Sequence, residues 1–403
     1  MKPRRPKPFS LAAFAVVLAC LVPVGLGATS ASGAISSGGG GLGVPDIPEI
    51  SDVICLTGCT KVREASIGGS VQITGTEMDS VKYVAFRSKG KKNLRVKPDL
   101  VRATRVEATV PEGAVTGRVR VVSSTGSPSD PSAQILTIGQ EKFVRTGRLT
   151  VTDATTTPTR AFQFGVRRPT LSFVVNGSSA NLDLRVDVVN SSGDVVRSRF
   201  LTDVPAGSVQ KVAWGGIVNG GKTAPNGAYR FAVRGNDGTA ATISNRLKRK
   251  VRKASASTSA FRFRLYRFIF PLRASHTYGD GIGAARSHGG HQGVDVLSKC
   301  GQPLVAARAG TVYYNDYQAG GAGNYLVINI KGGGSHAYMH MPRQSPLKVG
   351  TRVKTGQRIG RVGTTGSSSA CHLHFEVWSA PGWYQGGTFL DPMPMLRAWD
   401  RYS

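Results

Sequence analysis

Over most of this chain apolar side chains recur at every second position, the period of a β-strand and not of a helix. The run Asn181-Leu-Asp-Leu-Arg-Val-Asp-Val-Val189 alternates almost throughout, which predicts a strand with one face buried and the other in water. Shorter runs of the same kind, Ser70–Thr74, Val81–Phe86, Arg105–Val110 and Gly117–Val122, are separated by turn residues at the spacing of a small β-sandwich. We read one sandwich over residues 61–140 and a second over 147–243, with Trp214 and Tyr229 as core residues of the second. Residues 269–403 form a third, β-rich domain, so the fold class is mainly β. Phe261–Phe270 alternates aromatic residues with arginine and reads as an edge strand entering that third domain.

Between these patterned stretches the composition changes. Residues 1–34 carry Lys2, Arg4, Arg5 and Lys7, then the apolar run Leu11–Gly27 and a set of small residues, the layout of a secretory signal peptide. Cleavage before Cys20, as in a lipoprotein, is the alternative, but the apolar run continues past that cysteine. The expected location is therefore outside the cytoplasm, secreted or in the cell envelope, with no transmembrane anchor once the leader is removed. Residues 35–60 are rich in glycine and proline near their start and read as a tether, and 244–268 as a basic linker.

Charge adds a partner. The 403 residues carry a formal net charge of +29, which points to a polyanion. Export makes nucleic acid an unsuitable one and leaves anionic polymers of the cell wall. In an oxidising compartment Cys55, Cys59, Cys300 and Cys371 are expected as disulfides. Of the three possible pairings we favour Cys55 with Cys59 and Cys300 with Cys371.

The chemistry lies at the C-terminal end. All seven histidines fall between His276 and His374. His372 and His374 alternate within Cys371–Trp378, so one strand face carries both imidazoles, as a metal site or a proton shuttle requires. His291 and Asp295 are four apart. On a straight strand their α-carbons would stand about 13 Å apart, too far to share an ion that sits roughly 2 Å from each ligand. Glycines at 289, 290 and 293 disfavour a helix and allow a bent entry into a strand. Two imidazole nitrogens and one carboxylate oxygen form the donor set of a catalytic zinc site, which keeps its fourth position open. His340, in Ala-Tyr-Met-His-Met, is a third element of the site. His276, His288 and His336 read as surface groups. Glu376 is read either as a partner behind the ligands or as an exposed carboxylate, Tyr338 as a substrate contact or a core residue, and Asn324 as a turn residue near the groove.

Taken together, His291-Gln-Gly-Val-Asp295, Tyr338-Met-His340, His372-Leu-His374-Phe-Glu and the glycine motifs Gly310-Thr-Val312, Gly323-Asn324 and Gly356–Gly366 resemble the lysostaphin and LytM type of zinc metalloendopeptidase. The resemblance runs from about Phe270 to Asp391. It implies a groove across a sheet, Zn2+ held by His291, Asp295 and His374, His372 as general base, and His340 steadying the oxyanion and moving protons. It also implies peptidoglycan as substrate, cut in its stem peptides or cross-bridges. The other class kept open is a catalytically inactive relative that binds the wall or activates a hydrolase. Residues 61–140 resemble an IPT/TIG immunoglobulin-like domain and 147–243 the immunoglobulin-like domain of flagellar hook-cap proteins, both read as spacers or wall-contacting arms. A monomer is expected.

Overall fold

The structure, a computed structural model, describes residues 47–142, 149–235, 242–243, 258–286 and 289–403. The leader, the basic run at 246–253 and His288 lie outside the described residues. Among the described residues no helix is long and apolar enough to cross a membrane.

The first module opens with a strand at Glu49–Cys55, so the tether read over 35–60 ends earlier than the composition implied. Val53, Ile54 and Cys55 are buried there, and Glu49–Cys55 pairs antiparallel with Ser70–Thr76. On the other side of the module, β1 (Val81–Phe86) lies between β2 (Leu94–Val96) and β3 (Arg120–Ser123). Val84 of β1 and Val121 of β3 point into the core with Val71, Ile73 and Val106. The disulfide Cys55–Cys59 forms as read from the sequence.

The second module has a four-stranded and a five-stranded sheet over a core that includes Phe173, Trp214, Tyr229 and Phe231. The Trp214 and Tyr229 rings meet edge to face at 5.0 Å, which bears out their reading as core. Two readings are corrected. Arg262–Tyr266 pairs with Arg160–Phe162 and Gly227–Gly235, so it completes this module's sheet and does not enter the next domain. Its apolar positions Phe263 and Leu265 fill the second module's core. The polar face of Asn181–Asn190 is wet only at Asn181 and Asp183. Arg185 and Asp187 are fully buried, because that face packs on the first module. Arg185 donates to Asp187 at 2.9 Å and to the Cys55 carbonyl at 3.0 Å.

The third domain is built on a sheet in which β4 (Val294–Leu297), β8 (His372–Trp378), β7 (Ser335–Met341), β6 (Gly323–Ile330) and β5 (Gly310–Gln318) lie side by side in that order. One face buries Leu326, Tyr338, Leu373 and Phe375, closed by Leu396 and Trp399 of α1 (Met393–Asp400). Burial of each such large apolar side chain stabilises by about 1.5–3 kcal/mol. The other face carries the candidate site. Gly332, Gly333 and Gly334 all have positive φ and turn β6 into β7 as a hairpin.

Candidate metal centre

Position on the strands explains most of the site. β8 presents His372, His374 and Glu376 on one face and Leu373 and Phe375 on the other. Asp295 stands opposite His374 in the β4–β8 ladder. His291 reaches the same place by the bend predicted for it, just after Gly289–Gly290 pairs back on Ala285–Arg286. Gly293 permits that approach, since a Cβ there would lie 2.5 Å from the Phe375 carbonyl oxygen and 2.8 Å from His374 Nε2.

Three donor atoms converge. His291 Nε2 lies 3.0 Å from Asp295 Oδ1 and 2.8 Å from His374 Nδ1, and His374 Nδ1 lies 3.1 Å from Asp295 Oδ1. Donors placed tetrahedrally around one zinc ion would be roughly 3.3 Å apart, so the triangle fits a small cation with little adjustment. Proton placement agrees. His291 Nδ1–H donates to the Gly281 carbonyl at 2.8 Å, and His374 Nε2–H donates to Glu376 at 3.0 Å. The inward atoms are therefore two ring nitrogens and a carboxylate oxygen. One proton can bridge only one pair of them, whereas one cation serves all three.

The electrostatics favour positive charge at this point. Burial pushes the Asp295 carboxyl upward, but its hydrogen bonds with His291 and His374 outweigh that and hold it well below the usual carboxylate range. Burial lowers His374, yet Asp295 on one side and Glu376 on the other raise it to about 9. A metal ion would displace the proton that those two carboxylates retain.

His372 and His340 stand beside the triangle. His372 Nε2 is 3.5 Å from Asp295 Oδ1, its Nδ1–H donates to the Ala370 carbonyl at 2.8 Å, and its ring lies 4.6 Å from that of His340. His340 has a left-handed backbone, φ +61°, at an irregularity in the β6–β7 pairing. That reversal separates it from Tyr338. The two should share a face by alternation, yet Tyr338 is fully buried in the core and accepts from Ala307 N–H, so it makes no substrate contact. His340 Nδ1–H donates to the Thr365 carbonyl at 2.8 Å, and burial holds its pKa down at about 4.

Several supporting residues carried little sequence signal. Asn324 donates from its side chain to Met341 O at 2.9 Å and so braces the end of β7 that carries His340. Glu376 is buried, 3% exposed, and accepts from Trp378 Nε1 at 2.7 Å and Trp383 Nε1 at 2.9 Å as well as from His374. Its place two residues after His374 was the only clue; Trp383 lies on a later loop and gave none. Val327 and Met339, with Tyr325 and Trp383 packed against them, form a separate small apolar cluster of this domain. The surface readings of His336 and His276 do not hold. His336 is buried within β7 against Phe268, Phe375 and Trp399, and His276 is half-buried, stacked on Phe270. The disulfide Cys300–Cys371 forms immediately before His372, as favoured from the sequence.

The β-sheet, the converging donors and the two flanking imidazoles define a domain of the metallopeptidase type. Residues 289–392 match the profile of Peptidase family M23, and this C-terminal part of the chain is a domain of that family; residues 161–239 match the FlgD Ig-like domain. Among curated proteins, the chain is 38% identical over 112 residues to the glycyl-glycine endopeptidase ALE-1 of Staphylococcus capitis, covering 27% of this chain and 30% of that protein. It is 36% identical over 91 residues to the murein hydrolase activator NlpD of Salmonella dublin, covering 23% of this chain and 24% of that one. The catalytic domain of lysostaphin from Staphylococcus simulans aligns structurally over 30% of this chain and 92% of its own, at 34% identity and a TM-score of 0.28. The chain thus spans less than a third of the length of either curated relative.

Proposed function

We propose that the chain is a secreted zinc metalloendopeptidase that hydrolyses peptide bonds in peptidoglycan stem peptides or cross-bridges. The observation that carries this reading is the convergence of His291 Nε2, Asp295 Oδ1 and His374 Nδ1, with each imidazole fixed from behind. Those three residues would hold Zn2+. When bound, the ion supplies Lewis acidity, which makes water nucleophilic near neutral pH and polarises a carbonyl.

The remaining roles belong to the protein. His372, with Nδ1–H committed to Ala370, offers Nε2 as the base that takes a proton from the attacking water. His340 is neutral at pH 7, and its Nδ1–H is committed to Thr365. It therefore steadies an oxyanion through Nε2 only after it has gained a proton. Its ring stands next to that of His372, placed to receive that proton and return it to the leaving amine.

The activator name borne by one relative supports a second reading, a wall-binding protein without turnover. Two variants and two measurements separate the readings. Asp295→Ala should lose zinc by elemental analysis, whereas His372→Ala should retain about one zinc per chain and lose release of peptides from purified walls by a factor of 100 or more, within the usual range of about 10²–10⁴ for a lost general base. Wild-type protein that binds walls but neither holds zinc nor releases peptide would establish the second reading.

A further inference from the structure

A second site stands on the first module, far from the donor triangle in sequence and built of different chemistry. Between Lys82 and Lys97 the chain carries seven basic residues and no acidic one. The fold gathers these with two more from β3 and the segment before it. Arg87, Lys89, Lys91, Arg118 and Arg120 line one hollow, and Lys92, Arg95 and again Arg120 line the hollow beside it.

The strand register makes this arrangement costly. Ala85 pairs with Arg95 on one side and with Arg120 on the other, so two arginines flank one small residue on the outer face of β2–β1–β3. Two strand spacings, about 9.6 Å, separate the two guanidinium-bearing positions, so they repel within a Debye length unless something neutralises them. Two other arginines of this module have acidic partners: Arg63 pairs with Asp52 at 2.8 Å, and Arg105 with Asp194 at 3.2 Å. In the basic hollows none of the cations is ion-paired with an acidic side chain of the described residues. Two of them, Arg118 and Arg120, are held instead by backbone carbonyls. Arg118 donates to the carbonyls of Ser132 and Ala133, both at 2.7 Å, and Arg120 to that of Ser129 at 2.7 Å. The stem of Arg87 lies across Gly117, where a Cβ would come within 2.6 Å of it. Carbonyl anchoring fixes a guanidinium in place without cancelling its charge, so little side-chain freedom is lost when an anion arrives.

The geometry points to a binding site for a linear phosphodiester polymer. Several arginine forks match phosphate oxygens, and two joined hollows suit a repeated anion better than a single ion. No aromatic ring lines either hollow, so nucleic-acid bases would find no stacking platform there.

The test measures binding of the full chain to immobilised poly(glycerol phosphate) between 50 and 200 mM salt. Parallel arms use double-stranded DNA and polyglutamate of matched charge. Arg95→Gln with Arg120→Gln should weaken polymer binding at least tenfold and reduce the slope of log affinity against log salt by about 1.4 for two lost contacts. Because Arg120 sits on a strand, a second variant, Lys89→Gln with Lys91→Gln and Lys92→Gln, alters only the exposed loop and should move affinity the same way at an unchanged melting temperature. Polymer binding that both variants leave intact would overturn the site. DNA binding at least as tight as polymer binding, lost in the same variants, would reassign the ligand to nucleic acid, and equal binding of polyglutamate would overturn the phosphate assignment.

Discussion

Glu376 answers three donors at once, His374 Nε2–H on one oxygen and the indole N–H groups of Trp378 and Trp383 on the other. An amide cannot do the same, because its nitrogen would face one of those donors. Glu376→Gln should therefore weaken zinc affinity by about 10–100-fold, the usual effect of losing a partner behind a metal ligand. Competition with a chromophoric chelator reads this without any turnover assay. Equal affinity in the variant would mean that His374 is held by the strand alone. The charged form of this site was only half legible in the sequence. His291, Asp295 and His374 announced themselves by residue type and spacing, whereas the carbonyls of Gly281, Ala370 and Thr365 that set the ring protons are backbone atoms and leave no mark on composition.

At the scale of elements, β7 shows what alternation predicts and where it fails. The strand follows Gly332–Gly334, and so many glycines make His336 look like a loop residue; in fact the turn ends at Gly334 and His336 already points into the core. Burial, with the nearby Arg308 charge, lowers its pKa to about 3, against an ordinary value of 6.5. The sign follows from proton uptake. Below pH 6.5 the unfolded chain binds a proton here that the folded protein refuses, so stability is fully present above 6.5 and falls as pH drops towards 3. At pH 5 the loss from this group is about 2 kcal/mol. Denaturant unfolding at pH 7 and pH 5 should show that difference shrink by about this amount in His336→Gln; an unchanged difference would place the titration elsewhere. Two residues further on, Tyr338 obeys alternation and His340 escapes it through its positive φ. No hydropathy pattern encodes that reversal, which is why the sequence placed both on one face.

For the whole molecule, the three modules meet through packed faces. Arg185 and Asp187 are sealed where the first module covers the second, and Gln72 exchanges hydrogen bonds with the backbone of Val195 across the same boundary. The second module meets the peptidase domain through Thr355, whose hydroxyl donates to the Gln163 carbonyl at 2.7 Å, and through the stacked rings of Tyr266 and Tyr402 at 3.9 Å. Arg185→Leu leaves the buried Asp187 carboxylate with only Arg234 at 3.5 Å and the Ser198 hydroxyl, so it should cost about 3 kcal/mol, the low end for a broken buried pair, and replacing Asp187 by leucine as well should recover much of it. Urea unfolding of the two variants checks both statements. The sandwiches were visible in the sequence as alternating runs, but their contact was not. A strand face bearing Arg and Asp looks solvated until a neighbouring domain closes over it.

Docked in this way, the modules behave less like beads on a string than like the parts of a caliper. Wherever the outer sandwich is moored, the peptidase domain stands at one constant stride from that mooring, so under the proposed function the bonds within reach would be set by the length of the arm as well as by the chemistry at its tip.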